Sequence, residues 1–223
     1  IFKYLITNRD RPVSKEILMD LFWRDADPDA ARNNLNVAIY GLRQAFRAAR
    51  PDFSHILFED NCYLLNPDME VWVDAEEFVK RFEAGQTLER NGTLVEAMRE
   101  YEIAEELYQG DFLEEDLYAD WPIPMREGLK DHYLTVLDRL STYCLEQKRY
   151  ASCIHLCRKI LAKDPCREDA HRRLMRCYSQ QGQRNLALRQ YSVCTETLQK
   201  ELDVTPMDRT MTLYHQIRSG ESV

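Results

Sequence analysis

Residues 12–46, PVSKEILMDLFWRDADPDAARNNLNVAIYGLRQAF, hold two helix starts separated by one short turn. Ser14 is placed to cap the first helix, whose Ile17, Leu18, Leu21 and Phe22 form an apolar stripe, and Val13 with Leu18 can staple its start. Asp27, Pro28 and Asp29 mark the second start with a side-chain cap, a residue that needs no donor in the first turn, and a carboxylate that complements the helix dipole. From there Leu35, Ala38, Ile39, Leu42, Ala45 and Phe46 recur at steps of three and four, which directs one stripe toward a core. The opposite face carries Asn33, Asn36, Val37, Tyr40, Arg43, Gln44 and Arg47. A merely solvated face favours Glu and Lys. Asparagine is a mediocre helix former, so Asn33, Asn34 and Asn36 within one turn need another reason. Amides pair with adenine edges, and guanidinium groups pair with guanine or with phosphate, so this face has the chemistry of a nucleic-acid reader.

The flanking segments extend this into a domain. Upstream, Ile1 to Thr7 places Phe2, Leu5 and Ile6 at helical spacing, with no cap and no initiator Met ahead of it, so the chain is expected to begin inside a domain. Two short helices, a tight connection and a third helix with a polar face describe a helix-turn-helix. Downstream, ILFEDNCYLL (56–65) places two β-rich runs, Ile56 to Phe58 and Tyr63 to Leu65, around a turn at Asp60 and Asn61. A hairpin directly after such a helix gives a winged helix, with Glu59 and Asp60 at the tip of the wing. The segment NPDMEVWVD (66–74) reads as a last strand or an extended linker.

From Asp74 onward the pattern is helical, and it repeats. Shifting residues 137–165 by 34 onto residues 171–199 sets Leu140 on Leu174, Cys144 on Tyr178, Lys148 on Gly182, Cys153 on Ala187, Cys157 on Tyr191 and Ile160 on Cys194. That period is the tetratricopeptide length. Gly92, Ala97, Tyr101 and Ala104 mark an earlier, looser copy, while Pro165 and Pro206 close the later ones. Helical hairpins of this kind stack into a solenoid whose concave surface takes peptides or other domains. The expected fold is therefore mainly α: a winged helix-turn-helix, truncated at its N-terminus, over residues 1–73, then a tetratricopeptide-like solenoid over residues 74–220.

Composition narrows the function classes. The 223 residues are 44% hydrophobic, which fits folded domains rather than disorder, and no apolar run reaches the ~20 residues of a membrane helix. The start lacks the shape of a signal peptide, and seven scattered cysteines fit a reducing compartment, so a cytoplasmic chain with no membrane contact is expected. The net charge of −8 is unevenly spread: −2 over residues 1–73, −11 over 74–135 and +5 over 136–223. Residues 30–50 contain Arg32, Arg43, Arg47 and Arg50 and no acidic side chain. An acidic total is thus compatible with a local DNA-binding patch of modest, salt-sensitive affinity.

With PVSKEILMDLFWRDADPDAARNNLNVAIYGLRQAF and ILFEDNCYLLNP, the first part resembles the winged-helix DNA-binding domain of the OmpR/PhoB type. With QGDFLEEDLYADWPIPMREGL (109–129) and DPCREDAHRRLMRCYSQQGQRNLALRQY (164–191), the remainder resembles the bacterial transcriptional activator domain. Together they are similar to the Streptomyces antibiotic regulatory protein class of activators. The resemblance implies a sequence-specific transcriptional regulator whose third helix enters the major groove, with double-stranded DNA contacts at Asn33, Asn36, Tyr40, Arg43, Gln44 and Arg47. It also implies a helical domain that supports a homodimer on direct repeats or contacts RNA polymerase or sensory domains of the same polypeptide. Tyr40 and Gly41 stand where response-regulator relatives often have arginines, and Glu59 and Asn61-Cys62 replace the wing's usual Arg and paired Gly, which removes phosphate contacts. The competing reading is a tetratricopeptide-type interaction module whose winged helix binds no DNA.

Catalytic, metal and cofactor readings find little support. No phosphate loop, nucleophile elbow or zinc-protease motif is present, so no catalytic residue and no cofactor is expected. In CIHLC, Cys153 and Cys157 share a helix face from which His155 points away, and both cysteines fall on core positions of the repeat, so no metal site is expected there. The acidic run Asp111, Glu114, Glu115, Asp116 and Asp120 lacks the glycine and alternating oxygen ligands of a calcium loop and reads as a solvated loop.

Overall fold

The computed structural model describes residues 1–116, 118–221 and 223. The chain divides into two compact units, Ile1–Trp72 and Val73–Val223.

In the first unit, helix α1 (Phe2–Thr7) precedes strand β1 (Val13–Ser14), helix α2 (Lys15–Trp23), helix α3 (Pro28–Ala49) and the hairpin β2 (Ile56–Glu59) and β3 (Cys62–Leu65). The caps fall where the side chains allow. The Ile17 N–H donates to Ser14 Oγ at 3.3 Å, and the Asp29 N–H donates to Asp27 Oδ2 at 3.1 Å. The strands pair antiparallel in the order β1-β3-β2, with Val13 opposite Tyr63 and Ile56 opposite Leu65. Asp60 and Asn61 both take positive φ, which gives a two-residue hairpin turn of the primed kind whose twist matches the strands. The alternation along β3 then buries Tyr63 and Leu65 beside Leu5, Val13, Leu18, Leu35, Ile39 and Ile56.

The sequence pattern misassigned a few positions here. Strand β1 carries no alternation of its own, and only pairing with the hairpin reveals it. Ile17 and Ala45, assigned to apolar stripes, are exposed, while Ala31 is buried. Residues 66–73 form no strand: Pro67 and Asp68 make a turn closed by the Met69 N–H on the Asn66 carbonyl at 3.0 Å, Met69 packs on the core, and 70–73 run without regular structure.

The second unit is a run of helical hairpins: α4 (Asp74–Arg90) with α5 (Leu94–Leu107), α6 (Ile123–Glu146) with α7 (Tyr150–Lys163), and α8 (Glu168–Gln180) with α9 (Arg184–Leu202). A further helix, α10 (Asp208–Ser219), packs on α8 and α9. The turns after α4, α6 and α8 are built alike. Gly92, Lys148 and Gly182 are left-handed, and the next residue's N–H returns to a carbonyl five residues back: Thr93 to Leu88 at 3.0 Å, Arg149 to Cys144 at 2.8 Å, and Gln183 to Tyr178 at 2.8 Å. This closure satisfies carbonyls that the helix end leaves without donors.

The repeat positions form the core of this unit. Leu140 and Leu174, Cys153 and Ala187, and Ile160 and Cys194 are buried pairs, and in the first hairpin Ala97, Tyr101 and Ala104 are fully covered. Gly85 sits against the Tyr101 ring so closely that a Cβ there would stand 2.5 Å from Cε1, so close approach requires this glycine. Pro206 falls after the last repeat helix, between α9 and α10. Glu168 anchors that helix: its carboxylate accepts the Met207 N–H at 3.0 Å and the Thr210 hydroxyl at 2.5 Å. Between α6 and α8, Arg173 bonds Ser141 Oγ at 3.1 Å and pairs with Asp138 and Asp169, while Arg167 Nε reaches Asp169 at 3.1 Å. Burial alone would raise the Asp169 carboxyl, but hydrogen bonds from Arg167 and the nearby Arg173 outweigh it and hold Asp169 well below the usual carboxylate range. Among the described residues, no helix is long and apolar enough to cross a membrane.

Candidate nucleic-acid interface

Helix α3 is divided lengthwise. Its inner stripe, with Ala31, Leu35 and Ile39 buried and Leu42 and Phe46 half-buried, joins the core of the unit and packs on α2, with an edge contact of Phe46 to Phe2 of α1 at 5.2 Å. Its outer face presents Asn33, Asn36, Tyr40, Gln44 and Arg47 together, all exposed. Val37, on the same face, is 71% exposed, and Tyr40 is 65% exposed. Aliphatic and aromatic groups this exposed, interleaved with amides, give the face both hydrogen-bonding and apolar contact chemistry.

Arg43 behaves differently from its neighbours. It lies at the edge of the face and is half-buried, with Nε and Nη2 both donating to the Ile56 carbonyl at 3.2 and 2.9 Å. That two-donor clamp ties the fifth turn of α3 to the first strand of the hairpin. It also takes two donors of the group expected to reach guanine.

The C-terminal end of α3 adds residues that the sequence pattern did not single out. His55 stacks on Phe46 with ring centroids 5.0 Å apart, and the Asn66 side chain donates to the Ser54 carbonyl at 2.9 Å. These contacts hold the loop before β2 beside the helix and open a cavity of about 400 Å³ lined by Arg43, Arg47, Phe53, Ser54 and His55, with Asp52 also on its wall. Arg47 and His55 are eight positions apart through an irregular loop, so no spacing rule pairs them. Across the unit, the wing is steadied by α2: Lys15 Nζ donates to Asn61 Oδ1 at 3.1 Å, and the Lys15 N–H donates to the Asn61 carbonyl. Glu59 and Asp60 at the tip are exposed.

In the helical unit the cysteines are core side chains. Cys153 and Cys157 are fully buried with their sulfurs 3.9 Å apart, while His155 faces solvent. The hydrogen bond with Cys157 draws the Cys153 thiol down, but the one with Cys177, together with burial, pushes it on balance up to about 12. Cys157 is raised further, by its bond to Cys153 and by burial. Thiols so placed stay protonated at neutral pH and are poor nucleophiles and poor ligands. Among the described residues, no cluster of three or more His, Cys, Asp or Glu could hold a metal ion. In the acidic run, Asp111 is engaged within the fold, accepting from the Tyr108 hydroxyl at 2.8 Å and from Lys163 at 2.7 Å.

Comparison with known proteins yields a consistent set of relatives. Residues 73–218 match the family described as bacterial transcriptional activator domain, and residues 1–58 match the family described as transcriptional regulatory protein, C terminal. Two curated relatives, both named transcriptional regulatory protein MoaR1, come from Mycobacterium tuberculosis and Mycobacterium bovis. Each is 26% identical over 219 residues, covering 97% of this chain and 70% of the relative. The solved structure of Mycobacterium tuberculosis EmbR in complex with low affinity phosphopeptide shares the fold with a TM-score of 0.74 at 20% identity. The match covers 98% of this chain and 58% of the solved one.

Proposed function

The chain belongs to the bacterial transcriptional activator domain family, a family of transcriptional regulators, and from that premise we propose that it binds double-stranded DNA through the exposed face of α3 and acts as a transcriptional activator. Residues 1–73 are the DNA-contacting domain and residues 74–220 the activator domain. The observation that carries this reading is the exposed set Asn33, Asn36, Tyr40, Gln44 and Arg47, held on one face of a helix whose other face is locked into a winged-helix core. In this reading Asn33, Asn36 and Tyr40 meet base edges, and Arg47 meets a phosphate beside Ser54 and His55. Arg43 serves chiefly to hold the hairpin, so its share of base contact is smaller than its residue type implies.

The helical unit supplies the protein contacts. Its helix faces carry exposed Val95 on α5 and Val193 on α9, apolar side chains of the sort that a second copy, RNA polymerase or a sensory domain would cover. A cytoplasmic location follows from the same function. The direct experiment incubates the chain with sheared genomic DNA from its own source and sequences what is retained. Recovery of a small set of fragments sharing a repeated site supports the reading. Recovery of no DNA at low salt would leave an interaction module in its place.

A further inference from the structure

We propose that the outer face of α3 selects A·T base pairs, with Asn33 and Asn36 pairing to adenine and with Val37 and Tyr40 lying against thymine methyl groups. The proposal rests on the DNA-binding reading above and names the class of site that reading would take.

Guanine is the base most often read by a bidentate guanidinium, and the α3 face has little guanidinium to give. Arg43 has Nε and Nη2 on the Ile56 carbonyl, 2.9 Å away at the closer of the two. Arg32, near the start of the helix, is paired with Asp29 at 3.1 Å. Arg47 lies beyond the amides at the far end of the face, beside Ser54 and His55 in the cavity before β2, a position suited to a phosphate oxygen. The residues left for base edges are therefore Asn33, Asn36, Val37 and Tyr40, with a further exposed amide, Gln44, one turn beyond.

Their chemistry is selective. A carboxamide sets an N–H donor beside a carbonyl acceptor, the complement of the adenine N7 acceptor and N6 donor in the major groove. Val37 and Tyr40 are large apolar groups of α3 left exposed, and the thymine methyl is the apolar group that the major groove displays. From Asn33 to Tyr40 the helix rises about 10 Å, or roughly three base-pair steps, so these side chains address one short contiguous run.

The test is selection by the whole chain from a duplex library randomised over its central base pairs, followed by sequencing of the bound fraction. The expected result is a run of about three adjacent A·T pairs, each preferred over G·C by about five- to hundred-fold. In the selected duplex, deoxyuridine in place of thymidine weakens binding by the native chain several-fold, weakens Val37→Ala less, and leaves binding by the double variant Val37→Ala, Tyr40→Ala unchanged. Asn36→Ala removes the preference at a single position while leaving the salt dependence intact. Bound duplexes rich in G·C, or without base preference, overturn this inference and leave DNA binding standing. A chain that retains no duplex at low salt overturns both.

Discussion

Arg43 and Arg47 lie one helical turn apart on α3, yet the structure gives them different employment. Arg47 is exposed at the mouth of a polar cavity, whereas Arg43 clamps the Ile56 carbonyl with two donors. Replacing Arg43 by Ala should cost about 1–3 kcal/mol, because a hydrogen-bonded charged donor is lost at a largely covered acceptor. Hydrogen exchange reads the effect as weakened protection of the hairpin amides, with base preference retained in whatever DNA still binds. An altered base preference with an intact hairpin would instead make Arg43 a base reader. Helical spacing sets Arg43 at the margin of the outer face and so made it look available. The acceptor is 13 positions downstream, and nothing in a sequence marks one backbone carbonyl among many as needing a donor. Asn33, Asn36, Tyr40, Gln44 and Arg47 were legible because helical periodicity alone decides which side chains stand opposite the apolar stripe.

At the scale of elements, the turns after α4, α6 and α8 show how a repeat tolerates drift. Gly92 and Gly182 adopt the left-handed conformation without strain, whereas Lys148 adopts it at φ 57° with a Cβ in place. Lys148→Gly should therefore stabilise the helical unit by about 0.5–1 kcal/mol, the relief of backbone strain exceeding the added freedom of the unfolded chain. A shift of the urea midpoint checks this. Lys148 fell on Gly182 in the 34-residue alignment, so the turn was legible even where its glycine was lost.

Acid sensitivity belongs to the junction of α6 and α8. Asp169 has its carboxyl held low by Arg167 and Arg173, so the folded state favours the charged form more than the unfolded state does. Its contribution is fully present above the unfolded value near 3.9 and is lost as pH falls toward the lower folded value. The stability gap between the native chain and Asp169→Asn should accordingly narrow below about pH 4, as followed by denaturant titration across pH. Strand β1 and helix α10 were not legible at this scale. Two residues cannot show alternation, and nothing in the sequence ties the segment after Pro206 back to Glu168, which bonds the Met207 N–H and the Thr210 hydroxyl.

Across the whole molecule, two compact units meet in sequence between Trp72 and Val73, close to where β-rich runs give way to helical periodicity at Asp74. The unit that carries α3 is nearly balanced in charge, while the excess of carboxylates lies in residues 74–135. In the proposed reading, binding through α3 draws on few phosphate contacts and owes much to base edges, so its expected salt dependence is shallow but measurable. On the same proposal, the exposed Glu59 and Asp60 at the wing tip would repel rather than attract a phosphate backbone.

The most direct measurement is the equilibrium affinity of the chain for a duplex it retains, titrated over a series of salt concentrations for the native protein, Arg47→Ala and Asn36→Ala. If α3 is the reading helix, the logarithm of affinity falls linearly with the logarithm of salt. Arg47→Ala then flattens the slope by about one unit, and Asn36→Ala weakens binding without changing it. Affinity independent of salt, or slopes and affinities that neither substitution changes, would contradict the account and move the interface off α3.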